Sequence, residues 1–428
     1  MQECTIIDGM DLIHSLGKLL GLKTFGDLAD VVTKIILSNL KGNCFRVDVV
    51  FDQYNAKSIK SGTRIKRRRC HRPVRRLVQD RNSKLPDNWQ DFLAMNDNKR
   101  DLVDFLSKEL SKVHLDSGHE LIVSGGFLEC KRVVSTDLNH DVTALSSTHE
   151  EGDTRVILHA IEASKNGYER IVIFARDTDI LILLLAYKDS IIAKEIWMKC
   201  GTKQKPRFTA IHAITLPENI RKNMLQFHAL TGCDSTSQFT GIGKRSAWGI
   251  FCKNNNSELL YKLGGDHTLN TPAMARVEEF VCRLYKPGTS ITSIQALRSV
   301  MFRTSKKALE SLPLTHDSFM LHIRRANHQA FIWRNAHVGQ VDLPDPLING
   351  WKEDHGELIP ILMNQEPVPA NYLQLTTCGC TPLGLHCRTR QCACIKAGLQ
   401  CTYACACTQS TSSLESWCKN PLNEPEED

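Results

Sequence analysis

Ile171–Tyr187, IVIFARDTDILILLLAY, carries two aspartates, Asp177 and Asp179, inside an otherwise nearly continuous apolar run. A run rich in Ile, Val and Leu and bounded by polar segments fits a strand buried on both faces that leads into a buried helix. Burial of an uncompensated carboxylate is costly, so the two aspartates must be paired or gathered around a cation. The pattern predicts an α/β fold and raises the question of what else in the chain reaches the same place.

Other acids stand at comparable positions. Cys4–Ile7 predicts a short strand ending in Asp8-Gly9, followed by a helical pattern through Leu12, Leu16, Leu19 and Leu20. Phe45–Phe51, FRVDVVF, predicts a second strand, closed by Asp52. Asp8 taken alone serves equally well as a helix N-cap. Two strands that end in Asp suggest a shared site, because ligands of open α/β sheets bind at the carboxyl ends of strands. Thr148–Arg155, THEEGDTR, leads into a helix with Val156, Ile157, Ala160 and Ile161 as its buried stripe. Glu151 and Asp153 open that helix, where capping and complementing the helix dipole is the plainer role. Phe227–Trp248, FHALTGCDSTSQFTGIGKRSAW, places Asp234 after a further helix. Its Gly241-Ile242-Gly243 turn allows backbone amides to meet a phosphate beside Lys244 and Arg245, although an isolated GxG is more often a plain turn.

The chain has 428 residues, 42% hydrophobic and 24% charged, enough for a substantial core and for two or more domains. Its formal charge of +7 is unevenly spread. Lys57–Arg81, KSIKSGTRIKRRRCHRPVRRLVQDR, is intensely basic and Glu424–Asp428 is acidic, an asymmetry that favours an anionic partner. Arg64, Arg68, Arg72 and Arg76 recur at helical spacing until Pro73 interferes, a density of guanidinium groups suited to phosphate contacts. A solvated helix face and a nuclear-localisation patch are the alternatives. No secretory signal pattern follows Met1 and no apolar run reaches membrane-spanning length, so the expectation is an intracellular, nuclear protein without a membrane partner. Asp87–His114 predicts one helix, with Phe92, Leu93, Leu102, Phe105, Leu106 and Leu110 on its apolar side. Leu121–Ser124 and Lys131–Ser135 predict strands.

The order of these pieces resembles the flap endonuclease/XPG nuclease family over roughly Met1–Lys253. The matching features are an Asp ending the first strand, an Asp after the second, a basic insert, an E-x-D opening a helix, a D-x-D after a strand, and G-C-D followed by G-I-G-K. The resemblance implies a PIN-like fold, a twisted, mostly parallel sheet flanked by helices. It also implies two divalent ions, Mg²⁺ or Mn²⁺, held by Asp8, Asp52, Glu151, Asp153, Asp177, Asp179 and Asp234 for phosphodiester hydrolysis. The glycine turn implies a helix-two-turn-helix near residues 227–253 that grips duplex backbone through Gly241, Gly243, Lys244 and Arg245. Ile59–Arg76, including Arg64, Lys66, Arg67, Arg68 and Arg69, falls where the family has its basic gateway and arch. The chain departs from the family in lacking a glycine-led segment before the first strand, in the enlarged stretch Gly125–Ser147, and in Ser235, which replaces an aromatic.

Residues 254–363 predict a helical extension, with Val277, Phe280, Val281 and Leu284, then Ile294, Leu297, Val300 and Met301, as helical stripes. A linker over 364–377 contains Pro367 and Pro369. Of 17 cysteines, those at Cys378, Cys380, Cys387, Cys392, Cys394, Cys401, Cys405, Cys407 and Cys418 crowd into 378–418, ahead of the acidic tail 419–428. In a reducing compartment this density points to zinc, and C-x-C pairs can bridge neighbouring ions. The other cysteines, such as Cys44 and Cys282, are expected to be mostly small core residues. The spacing resembles the CXC module of tesmin-like DNA-binding proteins and pre-SET segments, which implies up to three Zn²⁺. Gln391 stands where tesmin-like modules carry a DNA-contacting tyrosine.

Taken together, the expectation is a nuclease acting on flapped or branched DNA, with RNA not excluded, and with a chromatin or protein partner for the terminal module. The alternatives are a catalytically inactive nucleic-acid-binding or mobile-element-associated assembly protein, and a zinc-dependent chromatin adaptor.

Overall fold

The computed structural model describes the chain except for residues 18–20, 56, 61, 65–73, 117, 202–204, 305–310, 366–375, 381–386, 403–404, 409–417, 419 and 424–428. It divides into two compact units, Met1–Met363 and Asn364–Asp428.

The first unit is α/β. Strands β1 (Glu3–Asp8), β2 (Cys44–Val50), β3 (Glu120–Ser124), β4 (Val133–Ser135), β5 (Arg170–Phe174), β6 (Glu195–Gly201) and β7 (Pro206–Ala210) form one sheet in the order β4-β3-β2-β1-β5-β6-β7. The five central strands are parallel, and β4 and β7 run antiparallel at the two edges. Parallel strands need crossovers, and the apolar stripes of the crossover helices supply the layers that cover the sheet. On one face α2 (Phe25–Leu37), α3 (Trp89–Leu93) and α4 (Asn96–Leu110) pack over Ile7, Val47, Val49, Leu121 and Val123. On the other, α5 (Gly152–Lys165), α6 (Thr178–Tyr187) and α7 (Glu218–Thr231) pack over Cys4, Ile6, Ile171, Ile173, Ile196 and Met198. Helices α8 (Lys244–Phe251), α9 (Thr271–Tyr285), α10 (Ile294–Thr304) and α11 (His316–Arg334) contribute to that same core. A short hairpin of β8 (Trp351–Asp354) and β9 (Glu357–Pro360) also lies between residues 254 and 363, which sequence periodicity assigns to helix alone.

Ile171–Tyr187 folds as expected, into β5 and then α6, with Asp177 as the N-cap whose carboxylate accepts from the Asp179 amide at 2.9 Å. The helix expected over Asp87–His114 is instead two, α3 and α4, broken at Ala94-Met95. The Asn98 side-chain amide donates to the Phe92 carbonyl at 3.0 Å and to the Val74 carbonyl at 2.9 Å, a local competition with helix hydrogen bonding of the kind asparagine favours. The first helix, α1 (Gly9–Ser15), is shorter than the leucine pattern suggests; Leu19 and Leu20 lie outside the described residues. Cys4, Cys44 and Cys282 are buried as expected, but Cys130, Cys200 and Cys233 are half-buried and Cys252 is exposed. Small size admits cysteine to strand and helix surfaces as readily as to the core.

Between β2 and α5 lies a charged layer no residue of which is visible to solvent. The Arg46 guanidinium donates to both Asp48 oxygens at 2.7 Å, and His159 Nδ1 stands 2.7 Å from Asp48 Oδ2. Arg46, Asp48 and His159 are all 0% exposed. Burial alone would raise the Asp48 pKa, but the charge and hydrogen bonds of Arg46 and His159 overcome it and hold the carboxyl at about 2. Its contribution to stability is therefore present above the ordinary carboxylate range and is lost only as pH falls through about 2. Asp48→Ala would leave the buried Arg46 guanidinium with Glu162, 2.6 Å away, as its one carboxylate partner, and should lower the unfolding free energy in urea by about 3 kcal/mol. Lys108→Ala, which breaks the exposed 2.6 Å pair with Asp104, should change it by less than about 0.5 kcal/mol.

Candidate functional site

Leaving β1, the chain builds β2, β3 and β4 on one side and then crosses to β5, β6 and β7 on the other. The sheet therefore has a topological switch point between β1 and β5, where the crossovers diverge and leave a crevice at the strands' carboxyl ends. Asp8 is the last residue of β1, Asp52 follows just past β2, and Asp177 follows just past β5. Asp153 comes from the first turn of α5 and Asp179 from that of α6.

Asp8, Asp52, Asp153, Asp177 and Asp234 line one cavity of about 370 Å³. Oxygens of Asp153, Asp177 and Asp179 lie within 4.8 Å of one another. Glu151 joins them through Lys60, which lines the cavity and ion-pairs with Glu151 Oε1 at 3.1 Å. Of the seven acids expected at the site, five line this cavity and Asp179 adjoins it beside Asp153 and Asp177, whereas Glu151 lines a neighbouring cavity with His149 and Glu150 and meets this one only through Lys60. Backbone amides aim several of them. Asp8 accepts from Met10 and Asp11 at 2.9 and 3.0 Å, so its N-cap and site roles coincide. Asp52 accepts from the Gly152 amide at 2.7 Å. A Cβ on Gly152 would come within 3.1 Å of the same Asp52 oxygen, so the glycine keeps α5 close to the carboxylate. Glu151 is the N-cap residue of α5 but makes no capping bond with its side chain, which pairs with Lys60.

The crowding shows in the titration of the acids. Burial, reinforced by Asp52, pushes Asp8 up to about 8. Burial also raises Glu151 and Asp153 despite the pull of Lys60, and raises Asp177 with help from Asp179. Asp179 goes the other way: burial opposes ionisation, but the His228 hydrogen bond at 2.8 Å and its charge win. Desolvation disfavours the Lys60 ammonium, yet Glu151, Asp153, Asp52 and Asp234 together raise it well above its ordinary value.

Two of these groups were not singled out by sequence reasoning. Lys60 is embedded in a basic stretch that resembles an outward-facing binding surface, and His228 is one of several polar residues on a helix of mixed composition. Neither position carries a pattern that separates it from its neighbours. His228 links to Lys244, whose ammonium lies 2.9 Å from Nδ1. Lys244, expected beside a phosphate at the glycine turn, is therefore committed to His228 instead, because the start of α8 faces α7. Gly241, at φ +76, and Arg245 remain exposed, and Gly243 is the N-cap of α8. Arg64 also turns inward, lining the cavity 3.6 Å from Glu150. Lys66, Arg67, Arg68 and Arg69 lie outside the described residues.

A second constellation has the hydrogen-bond order of a nucleophilic triad. Ser124 Oγ stands 2.8 Å from His159 Nε2, whose other nitrogen meets Asp48. All three are 0% exposed, so no substrate reaches the serine, and the chain is a structural element of the buried layer.

In the second unit the cysteines form a core of their own, and none of the described cysteines is in a disulfide. Four-cysteine groups that could hold zinc are Cys378, Cys380, Cys387 and Cys392; Cys378, Cys387, Cys401 and Cys407; and Cys378, Cys392, Cys394 and Cys401. Cys378 Sγ lies 3.5 Å from Cys407 and 3.8 Å from both Cys387 and Cys401. Tetrahedral ligands about 2.3 Å from a zinc ion stand roughly 3.8 Å apart, so these separations suit shared coordination. Cys405 adjoins the groups at 3.5 Å from Cys394, and Cys418 packs at their margin without belonging to any of the three.

No protein-family model matches the chain, and no curated protein matches it.

Two outcomes are expected. Acids whose folded pKa is raised stabilise the protein at low pH and lose that contribution as pH rises through the folded value. The melting midpoint of protein kept in a chelator should carry a component that falls from about pH 4 to about pH 8, by roughly 2 °C for each kcal/mol lost, and Asp8→Asn should flatten that fall. Stripping metal from the full chain should open residues 378–418 to protease and its thiols to a disulfide reagent, and added Zn²⁺ should reverse both.

Proposed function

We propose that the first unit is a divalent-metal-dependent nuclease of the flap endonuclease/XPG type with a PIN-like fold, which hydrolyses phosphodiester bonds of flapped or branched DNA. The observation that carries this reading is the convergence of Asp8, Asp52, Asp153, Asp177, Asp179 and Asp234, from separate strand and helix ends, on one crevice, with Glu151 linked to it through Lys60. The donor set fits Mg²⁺ or Mn²⁺: hard oxygens, three of them within 4.8 Å, and a buried Glu151 Oε2 that has no hydrogen-bond partner. A pair of such ions, when bound, supplies activation of water and stabilisation of the attacking and leaving oxygens. The chain's own groups do the rest. His228 orients Asp179 and keeps it ionised, and the backbone amides at Met10, Asp11 and Gly152 hold Asp8 and Asp52. Lys60 and Arg64 face the cavity, where their charges would draw the phosphate toward the acids.

In this proposal the second unit is a CXC-like module that takes up to three Zn²⁺ and tethers the nuclease to nucleic acid or to a chromatin or protein partner in the nucleus. One observation favours a second reading, a protein that binds nucleic acid without turnover. Lys60 is already ion-paired with Glu151, and Lys244 is linked through His228 to Asp179, so protein cations offset part of the acidic charge.

Purified full-length protein with Mn²⁺ should cut labelled flap, bubble or hairpin DNA, and Asp153→Asn or Asp179→Asn should reduce the rate roughly 100-fold or more. Retention of parental activity by both variants would sink the assignment of the centre. Binding without cutting on any DNA or RNA substrate would select the second reading.

A further inference from the structure

Parallel sheets are normally covered on both faces, and this one is not uniformly so. Helices α2 and α4 cover the β1–β2–β3 part of one face. Beyond β1 that face opens as a groove of about 600 Å³ running over β5, β6 and β7. The strand register sets its floor in rows. Arg170 lies beside Glu195, Val172 beside Trp197, and Phe174 beside Lys199, which in turn neighbours Phe208. Phe208 is 54% exposed, and Phe174 and Trp197 are half-buried.

The charges are asymmetrically satisfied. Both carboxylates of the groove, Glu3 and Glu195, are engaged by Arg170, at 3.5 and 2.7 Å, and Glu195 also accepts from the Trp197 indole at 2.8 Å. Lys199 forms no ion pair among the described residues; its ammonium lies over the Phe174 ring at 4.0 Å and near the Phe208 ring at 5.6 Å. Lys41, from the turn before β2, lines the same groove and is also without an ion pair among the described residues. Rings open to solvent beside uncompensated ammonium groups match bases that stack and phosphates that need a cation. A neutral lipid surface or a plain apolar partner would leave those ammonium groups unmatched, and an anionic headgroup offers no base to stack on the rings.

We propose that this open sheet face binds single-stranded nucleic acid, with bases stacked on Trp197 and Phe208 and backbone phosphate at Lys199 and Lys41. The groove's upper row, Phe174 and Lys199, lies at the strand end just before Asp177, so a strand held there continues toward the carboxylate crevice. The inference rests on the nuclease reading for its class of partner, and deepens it by assigning the path of an unpaired strand.

The test is fluorescence anisotropy of a labelled thymidine oligonucleotide of about twenty nucleotides with the full chain in EDTA, where cleavage cannot contribute. Phe208→Ala and Trp197→Ala should each weaken binding about tenfold. Lys199→Ala should lower the slope of log K against log salt by about 0.7, a change that loss of packing alone would not produce. Lys108→Ala, at an exposed lysine outside the groove that is paired with Asp104, should bind as the parent does. Unchanged affinity in Phe208→Ala and Lys199→Ala overturns the proposal, as does failure of the parent to bind the strand. So does a dimer, seen by sedimentation, that Phe208→Ala dissociates without altering strand affinity. Cleavage with Mn²⁺ that persists alongside any of those results removes the groove and leaves the carboxylate centre standing. Weakened strand binding in the variants of a parent that never cleaves does the reverse.

Discussion

The carboxylates gathered at one crevice repel one another, and much of the first unit is arranged so that this repulsion is tolerated. Amides at helix starts neutralise part of it, as at Asp8, Asp52 and Asp177. Lys60 and His228 neutralise more. What is left over appears as carboxyls held above their ordinary range, a free energy that returns when a cation binds or protons are taken up. The same repulsion requires a stiff support, because a loose crevice would relax by splaying its acids apart. The largely buried strands β1 and β5 and the helices α5 and α6 provide that support.

The buried Arg46–Asp48–His159 layer explains part of the stiffness. It joins β2 to α5, the helix that presents Asp153 and whose Gly152 amide aims Asp52. Removing one member would leave the others charged and dry, so the layer tolerates one geometry and specifies how α5 crosses the sheet. Arg155 extends the constraint outward, donating from within α5 to the carbonyls of His149 and Cys130 at 2.9 and 3.0 Å. This ties the enlarged segment after β3 to the same helix.

Several elements were legible in the sequence because their signals are local. A continuous apolar run bounded by Arg170 and Asp177 reads as a buried strand and cap, and that is how β5 and α6 fold. The break between α3 and α4 was not legible, since it depends on Asn98 reaching the carbonyls of Phe92 and of the distant Val74. Nor was the inward turn of Lys60, Arg64 and Lys244, because a basic side chain in sequence carries no sign of whether it faces a partner or the protein's own acids. The hairpin at Trp351–Pro360 is too short to impose a period on its surroundings.

The sequence by itself determined which residues could converge: acids at strand ends and helix starts, and thiols at C-x-C spacing, positions set by two- and 3.6-residue periods within single elements. Only the tertiary structure decided that they do. The strand order places β1 between β2 and β5, so carboxylates far apart in the chain share one crevice while half of one sheet face is left open. Strand order and helix crossing depend on contacts between distant segments, and a period inside one segment holds no record of its neighbours.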